Sequence, residues 1–443
     1  MERKAEKSLI EWMKNPARQP LVVTGARQAG KTWLIEEFAS NYFSNCVTFT
    51  FEHNPQLCSI FKQDLNPERI IRELSVLSNT SIIMNQTLIF FDEIQQCPEA
   101  VTSLKYFREM APEYYIIAAG SLIGVATLRK SISFPVGKVD ELTMYPMDFG
   151  EFLSAVGAEP LKDMIQECFE KIIPMSETAH ATALDWYRKY LVTGGMPAAV
   201  ETYLSTGNFD KVRSVHRRLF SDYGSDMGKY ASPAEAIRNE ETYQSISAQL
   251  SRENKKFQYS LIAPDARSRE YGKSVRWLMK AGLLLRCYRV TSGLNGCKGT
   301  RDLFSFKAYL SDVGLLSTQL NIPVNNLLTG TGIDDQVEGG LTENYVAQQL
   351  VANDFEIFYW TSENTAEVDL VIQTDEGVIP VECKTSIHNK TKSLMNVYIP
   401  KYNPPYSIRI TAKNFGFANG IRAVPLYAAW CLNSKMKIPG TTD

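Results

Sequence analysis

The eight residues Gly25-Ala26-Arg27-Gln28-Ala29-Gly30-Lys31-Thr32 constrain this chain more than any other stretch. They follow the apolar run Leu21-Val22-Val23 and lead into Trp33-Leu34-Ile35-Glu36-Glu37-Phe38, so the order reads strand, glycine-bounded loop, helix. Gly25 and Gly30 permit backbone angles that turn several N–H groups toward one anion. A helix starting near Thr32 aims its positive end at the same anion. The spacing G-x-x-x-x-G-K-[ST] therefore describes a phosphate-binding loop, with Lys31 reaching the β- and γ-phosphates and Thr32 offering its hydroxyl to Mg²⁺. Nucleotide contacts are expected from Gly25, Ala26, Arg27, Gln28, Ala29, Gly30, Lys31, Thr32 and Trp33.

A second motif supports the first. Thr87-Leu88-Ile89-Phe90-Phe91 is a continuous apolar run, the pattern of a strand buried on both faces, and it ends in Asp92-Glu93. Asp92 is placed to hold Mg²⁺ through its water shell, and Glu93 to polarise an attacking water. A third run, Tyr114 to Ala119, ends in Gly120-Ser121. Ser121 either contacts the γ-phosphate or the lytic water, or caps a helix before Leu122. The predicted chemistry is Mg²⁺-dependent ATP hydrolysis with Lys31, Glu93 and Ser121 as catalytic groups. Candidate strands 21–24, 47–52, 87–91 and 115–119 alternate with helices, which predicts an α/β fold: a parallel sheet with helices on both faces. The segment 134–139 is expected to turn into the last strand. Nucleotide would then sit beyond the carboxyl ends of the strands.

Charge and cysteine usage narrow the class. Forty-seven Lys and Arg against 49 Asp and Glu leave a net charge of −2, so no chain-wide basic field points to nucleic acid. The eight cysteines are scattered without a C-x-x-C pair, and the four histidines are dispersed. That pattern argues against zinc and for reduced thiols, hence a cytoplasmic location. No run approaches the ~20 apolar residues of a membrane span.

The remaining chain reads as three further segments. Residues 148–230 are helical apart from Gly194-Gly195-Met196-Pro197, and suit a lid. Their cluster Arg213, His216, Arg217, Arg218 is a candidate nucleotide or DNA contact. Residues 231–325 read as a winged helix: a helix over 241–250, a second over 269–280, and a hairpin wing at 283–306. Arg267, Arg269, Lys273, Arg276 and Lys280 give that second helix a basic face, a geometry that suits DNA. Residues 326–443 hold a helix carrying Glu343 on its apolar face and a hairpin through Asp375-Glu376-Gly377. Glu382 and Lys384, two apart, share a strand face, and the hairpin brings Asp369 near them.

In these motifs the chain resembles AAA+-type P-loop ATPases of bacteria and archaea that carry a C-terminal domain of unknown function. Matching stretches are Gly25 to Thr32, Leu88 to Glu93, Gly120-Ser121, Glu141 to Phe152, Thr193 to Pro197, Tyr309 to Leu315, Glu367 to Asp369 and Val381 to Lys384. Relatives often have Arg where Lys138 stands. Lys lacks the bidentate fork, so Lys138 is not expected to be a transition-state finger; Arg108 and Arg129 are the remaining candidates. The C-terminal segment resembles the PD-(D/E)XK nuclease fold, with Asp369, Glu382 and Lys384 at matching positions, Glu343 as the upstream helix acid, and Val368 instead of proline before Asp369. That resemblance implies Mg²⁺ held by Glu343, Asp369 and Glu382, with Lys384 orienting or deprotonating a water. The expected domains are an ATPase core at 1–147, a lid at 148–230, a winged helix at 231–325 and a nuclease-like domain at 326–443. Two functions follow: an ATPase coupled to a nuclease-like, nucleic-acid-associated domain, or a nucleotide-dependent switch or scaffold whose C-terminal domain binds protein or DNA without cutting. ATP and Mg²⁺ are the expected cofactors, with DNA, a protein or a second copy of the chain as partner.

Overall fold

The computed structural model describes residues 1–52, 54, 56–122, 124–125, 134–362, 366–384 and 393–439. The chain forms two compact units: Glu2–Tyr145 with Lys280–Gly282, and Pro146–Met279 with Leu283–Asp443 and Met1.

The N-terminal unit is built on five parallel strands: β1 (Leu21–Thr24), β2 (Asn45–Thr50), β3 (Thr87–Asp92), β4 (Tyr115–Ala119) and β5 (Asp140–Thr143), in the order β2-β3-β4-β1-β5. Side chains of β3 alternate between two cores. Ile89 and Phe91 pack with Ile70, Leu104 and Phe107, while Leu88 and Phe90 pack with Leu34, Ile35 and Phe38. A strand covered on both faces must be apolar at every position, which is why its sequence is an unbroken run. The last strand starts later than the 134–139 reading. Gly137 adopts a left-handed φ of 72°, so that stretch turns and β5 begins at Asp140.

The larger unit differs from the expected division into lid, winged helix and nuclease-like domain. Helices Phe149–Ala155, Glu159–Lys171, Glu177–Thr193, Pro197–Thr206, Phe209–Tyr230 and Pro233–Leu250 lead into a single eight-stranded sheet. Its strands are β6 (Leu284–Val290), β7 (Arg301–Leu310), β8 (Phe358–Thr361), β9 (Glu367–Thr374), β10 (Gly377–Cys383), β11 (Ser407–Thr411), β12 (Gly416–Ala418) and β13 (Ile421–Pro425), ordered β12-β13-β11-β10-β9-β8-β6-β7. The β6–β7 hairpin expected as a free wing is one edge of this sheet, because β6 also pairs with β8. A strand as apolar as β6 needs a neighbour on its second edge. The boundary drawn at 325/326 therefore runs through one sheet.

Two of the resembling motifs prove to be joints within this unit. Asp148 and Glu151 form a reciprocal capping box, Glu151 N donating at 2.8 Å and Asp148 N at 3.0 Å. Asp312, fully buried, accepts from Gly195 N at 2.6 Å and Leu315 N at 2.9 Å. A Cβ on Gly195 would lie 1.9 Å from Met147 O, so only glycine permits the approach.

Asp312→Ala would orphan two buried N–H groups, and urea unfolding at pH 7 should show a loss of about 2–4 kcal/mol. Burial raises the Asp312 carboxyl to about 6 from 3.8. A raised carboxyl contributes stability that is fully present below pH ~4 and is lost as pH rises through about 6. The gap between wild type and Asp312→Ala should therefore narrow from pH 4 to pH 7; a constant gap would contradict this role.

Candidate active site

In the N-terminal unit, β1 ends at Thr24 and the phosphate-binding loop begins. Gly25, Gln28 and Gly30 hold φ of 136°, 63° and 91°, and the helix Lys31–Tyr42 follows. At Gly25 a Cβ would sit 2.1 Å from Met144 O, so the turn requires glycine there. The buried Lys31 curls back over the loop, its Nζ donating to Gly25 O at 3.0 Å and Ala26 O at 2.8 Å. Trp33 lies exposed on the first helical turn.

Thr32 Oγ1 donates to Asp92 Oδ2 at 3.1 Å. Asp92 Oδ1 accepts from Glu93 N at 3.0 Å. A hydroxyl and a carboxylate that share a hydrogen bond are hard oxygen donors aimed at one point, and they fit Mg²⁺ completed by phosphate and water. Glu93 adopts a left-handed φ of 51°, unusual for a non-glycine residue, and its Oε2 accepts from Gln95 Nε2 at 2.5 Å. Burial raises both acids above the ordinary range; at Asp92 the bonds from Thr32 and Glu93 N offset part of it. Ser121, buried, follows β4, which lies between β1 and β3, and Gly120 N reaches Val23 O at 3.4 Å. The structure thus brings Lys31, Thr32, Asp92 and Glu93 to one edge of the sheet, with Ser121 on the adjoining strand end.

Arg3 is a residue the sequence reading missed. It is buried, and its guanidinium donates to Ala29 O at 2.9 Å and Tyr145 O at 2.7 Å, tying the loop to the chain after β5. No spacing rule marks it, because its partners lie 26 and 142 residues away. Lys138 instead forms a surface pair with Glu109 at 3.0 Å. Arg108 sits on the helix Pro98–Met110 beside Arg18 and Tyr114, and Arg129 lies outside the described residues.

The larger unit corrects two site expectations. Arg213 and His216 are not ligand contacts. Arg213 is buried and donates to Ser317 O at 2.8 Å and Ile322 O at 3.0 Å, while His216 pairs with Thr318 Oγ1 at 2.8 Å and Thr193 O at 3.1 Å. Burial pushes His216 down to about 3, so it stays neutral. Arg217 and Arg218 remain exposed, as do Arg267, just before the helix Ser268–Lys280, and Arg269, Lys273, Arg276 and Lys280 on it.

The C-terminal acids do meet. The register that sets Val381 opposite Leu370 places Glu382 beside Asp369. Lys384 Nζ lies 3.3 Å from Asp369 Oδ2 and 3.1 Å from Glu382 Oε2, and Cys383 N donates to Asp369 Oδ2 at 2.9 Å. Burial and the Asp369 charge raise Glu382 to about 8; Lys384, despite burial, is raised by Asp369 and Glu382. Glu343 does not join them as a metal ligand. Its Oε1 accepts from Lys307 Nζ at 2.7 Å and Tyr309 Oη at 2.5 Å, and its Oε2 faces Lys255 Nζ at 3.2 Å. Among the described residues no three acidic, imidazole or thiol side chains converge to hold a metal ion, which corrects the expected set Glu343, Asp369 and Glu382.

Residues 17–153 match an AAA domain. This region is a P-loop ATPase domain of AAA type, in agreement with the loop and acids above. Residues 184–326 and 338–429 match two domains of unknown function, DUF8612 and DUF4143. No curated protein matches the chain. Similar solved structures include a Walker-type ATPase of Pyrococcus abyssi, with 17% identity, 72% of this chain and 95% of the other covered, and a TM-score of 0.40. The Aeropyrum pernix ORC2 protein in ADPNP-ADP complexes shows 11% identity, 77% and 94% coverage and a TM-score of 0.35. Cdc6p of Pyrobaculum aerophilum shows 12% identity, 74% and 96% coverage and a TM-score of 0.26. Superposition at this level carries no functional argument; the assignment rests on residues 17–153. No described helix is long and apolar enough to cross a membrane.

Gly25→Ala should cut affinity for a fluorescent ATP analogue at least tenfold, since the added Cβ collides with backbone. Arg3→Ala, which frees one side of the loop, should weaken binding severalfold. Unchanged binding in both would contradict the described loop.

Proposed function

We propose that this chain is a Mg²⁺-dependent ATP hydrolase of AAA+ type that works as a nucleotide-driven switch on a C-terminal unit that binds its partner. The observation that carries the reading is the contact of Thr32 with Asp92, with Glu93 next in sequence, half-buried, at a left-handed φ of 51°. Lys31 and the loop N–H groups would hold the phosphates, and Thr32 and Asp92 would hold the ion. Mg²⁺, when bound with ATP, offsets phosphate charge. Glu93 orients a water and takes its proton. Burial raises Glu93, which brings a carboxylate closer to the basicity useful near neutral pH. Ser121 is proposed to contact the γ-phosphate or the lytic water.

The alternative couples the ATPase to cleavage of nucleic acid by a PD-(D/E)XK-like domain. It is favoured by the meeting of Asp369, Glu382 and Lys384. Against cleavage stands the pairing of Glu343 with Lys307 and Lys255, which supports binding without cutting. The exposed cations Arg267, Arg269, Lys273 and Arg276 suit DNA as the partner, and a protein or a second copy of the chain are the other candidates. A cytoplasmic site of action is part of the proposal.

Steady-state phosphate release separates the roles. Lys31→Ala should lose both nucleotide binding and turnover. Glu93→Gln should keep ATP binding within about threefold and lose at least 100-fold in kcat, the scale of a general base. Wild-type turnover in both variants would sink the proposal.

A further inference from the structure

The centre of the C-terminal acidic cluster is filled by an ammonium. Lys307 Nζ lies 2.7 Å from Glu343 Oε1, 2.6 Å from Glu367 Oε1 and 3.3 Å from the backbone oxygen of Asp369. Its side chain is 1% exposed. Two carboxylates and a carbonyl around one cation are the donors a hard divalent ion takes from a protein. Here the spacings are those of charge-assisted hydrogen bonds. Lys255 takes the second oxygen of Glu343, and Lys384 spans Asp369 and Glu382. Four carboxyl groups thus face three ammoniums, and a metal ion between Glu343, Glu367 and the Asp369 carbonyl would have to displace Lys307. The residues present do not fit the metal that a nuclease-like fold implies.

The sheet explains why a lysine reaches this place. Lys307 sits opposite Cys287, one residue before β8 begins to pair with β6 at Tyr288. The helix Asp335–Ala352 brings in Glu343, and the start of β9, where Glu367 pairs with Thr361 of β8, brings in Glu367. A buried ammonium is tolerated only when fully paired. Burial alone would lower Lys307, but Glu343, Glu367 and Asp369 outweigh it and hold it well above its ordinary value. Glu343 answers in kind: Lys255 and Lys307 overcome its burial and pull it down to about 2.

We infer that Lys307 is the tethered cation of this site, standing where a divalent ion would otherwise bridge Glu343, Glu367 and Asp369. The site is a permanently assembled, metal-independent joint between the helix Asp335–Ala352 and strands β7 and β9. The inference deepens the non-cleaving reading of the C-terminal unit and rests on it. It also predicts a latent property: removal of the ammonium leaves an acidic cavity built for a divalent ion.

The test uses the full chain without nucleotide, titrated with Mn²⁺ and followed by electron paramagnetic resonance and thermal unfolding. Wild type should show no bound Mn²⁺ that Glu343→Gln releases, and a Tm response to Mn²⁺ no larger than that of Glu343→Gln. Lys307→Ala should have a lower Tm in EDTA, regain part of it with Mn²⁺, and bind the ion at least tenfold more tightly than wild type. Adding Glu343→Gln to that variant should abolish the gain. If Lys307→Ala does not fold, Lys307→Gln, whose neutral amide keeps hydrogen-bond donors but no charge, should give the same kind of gain at smaller size. A wild-type Mn²⁺ site lost in Glu343→Gln would overturn the inference, and so would Lys307 variants that gain no metal. Neither readout needs ATP turnover or a partner, so failure here is distinguishable from failure of the proposed function.

Discussion

Thr32 and Asp92 meet because β1 and β3 are parallel strands of one sheet and end on the same edge. Everything the N-terminal unit can do with a nucleotide depends on that shared edge. Parallel order puts the loop after β1, the acids after β3 and Ser121 after β4 in one row. The same order demands cover on both faces, and the two cores that divide the alternate side chains of β3 supply it. Arg3 and the Met144 carbonyl then fix the loop: Arg3 holds Ala29 O and Tyr145 O, and Met144 O leaves no room for a side chain at Gly25.

The larger unit is organised by charges that satisfy one another. Asp312, Arg213 and His216 are buried polar groups whose hydrogen bonds go to backbone or to a hydroxyl, and they join helices to the chain around Gly195 and Ser317. Such groups are costly unless paired, so each fixes its neighbours in one arrangement. The acidic cluster applies the same rule with lysines as the counter-charge. A joint held by ammonium does not come and go with metal supply.

The parts legible in the sequence were local. The octapeptide at 25–32, the run ending in Asp92-Glu93 and the hairpin that pairs Asp369 with Glu382 all place their chemistry within a few residues or one register. What the sequence hid was long-range. Lys307 meets Glu343 across 36 residues and Asp369 across 62, with no spacing to announce it. Nor did a basic cluster on a helix reveal that Arg213 and His216 face inward while Arg217 and Arg218 face out. The wing was misread for a related reason: a hairpin looks the same in sequence whether its outer edge is free or paired, and only β8 decides it.

One measurement bears on the whole proposal, in which metal serves only the nucleotide centre and the second acidic centre is closed by lysines. Supercoiled plasmid and single-stranded DNA would be incubated with the protein in Mg²⁺ or Mn²⁺, with and without ATP, beside Glu382→Ala. The account predicts no cleavage that depends on Glu382, under either metal or with ATP. Cleavage by wild type that disappears in Glu382→Ala would contradict it and make the C-terminal cluster a working nuclease centre.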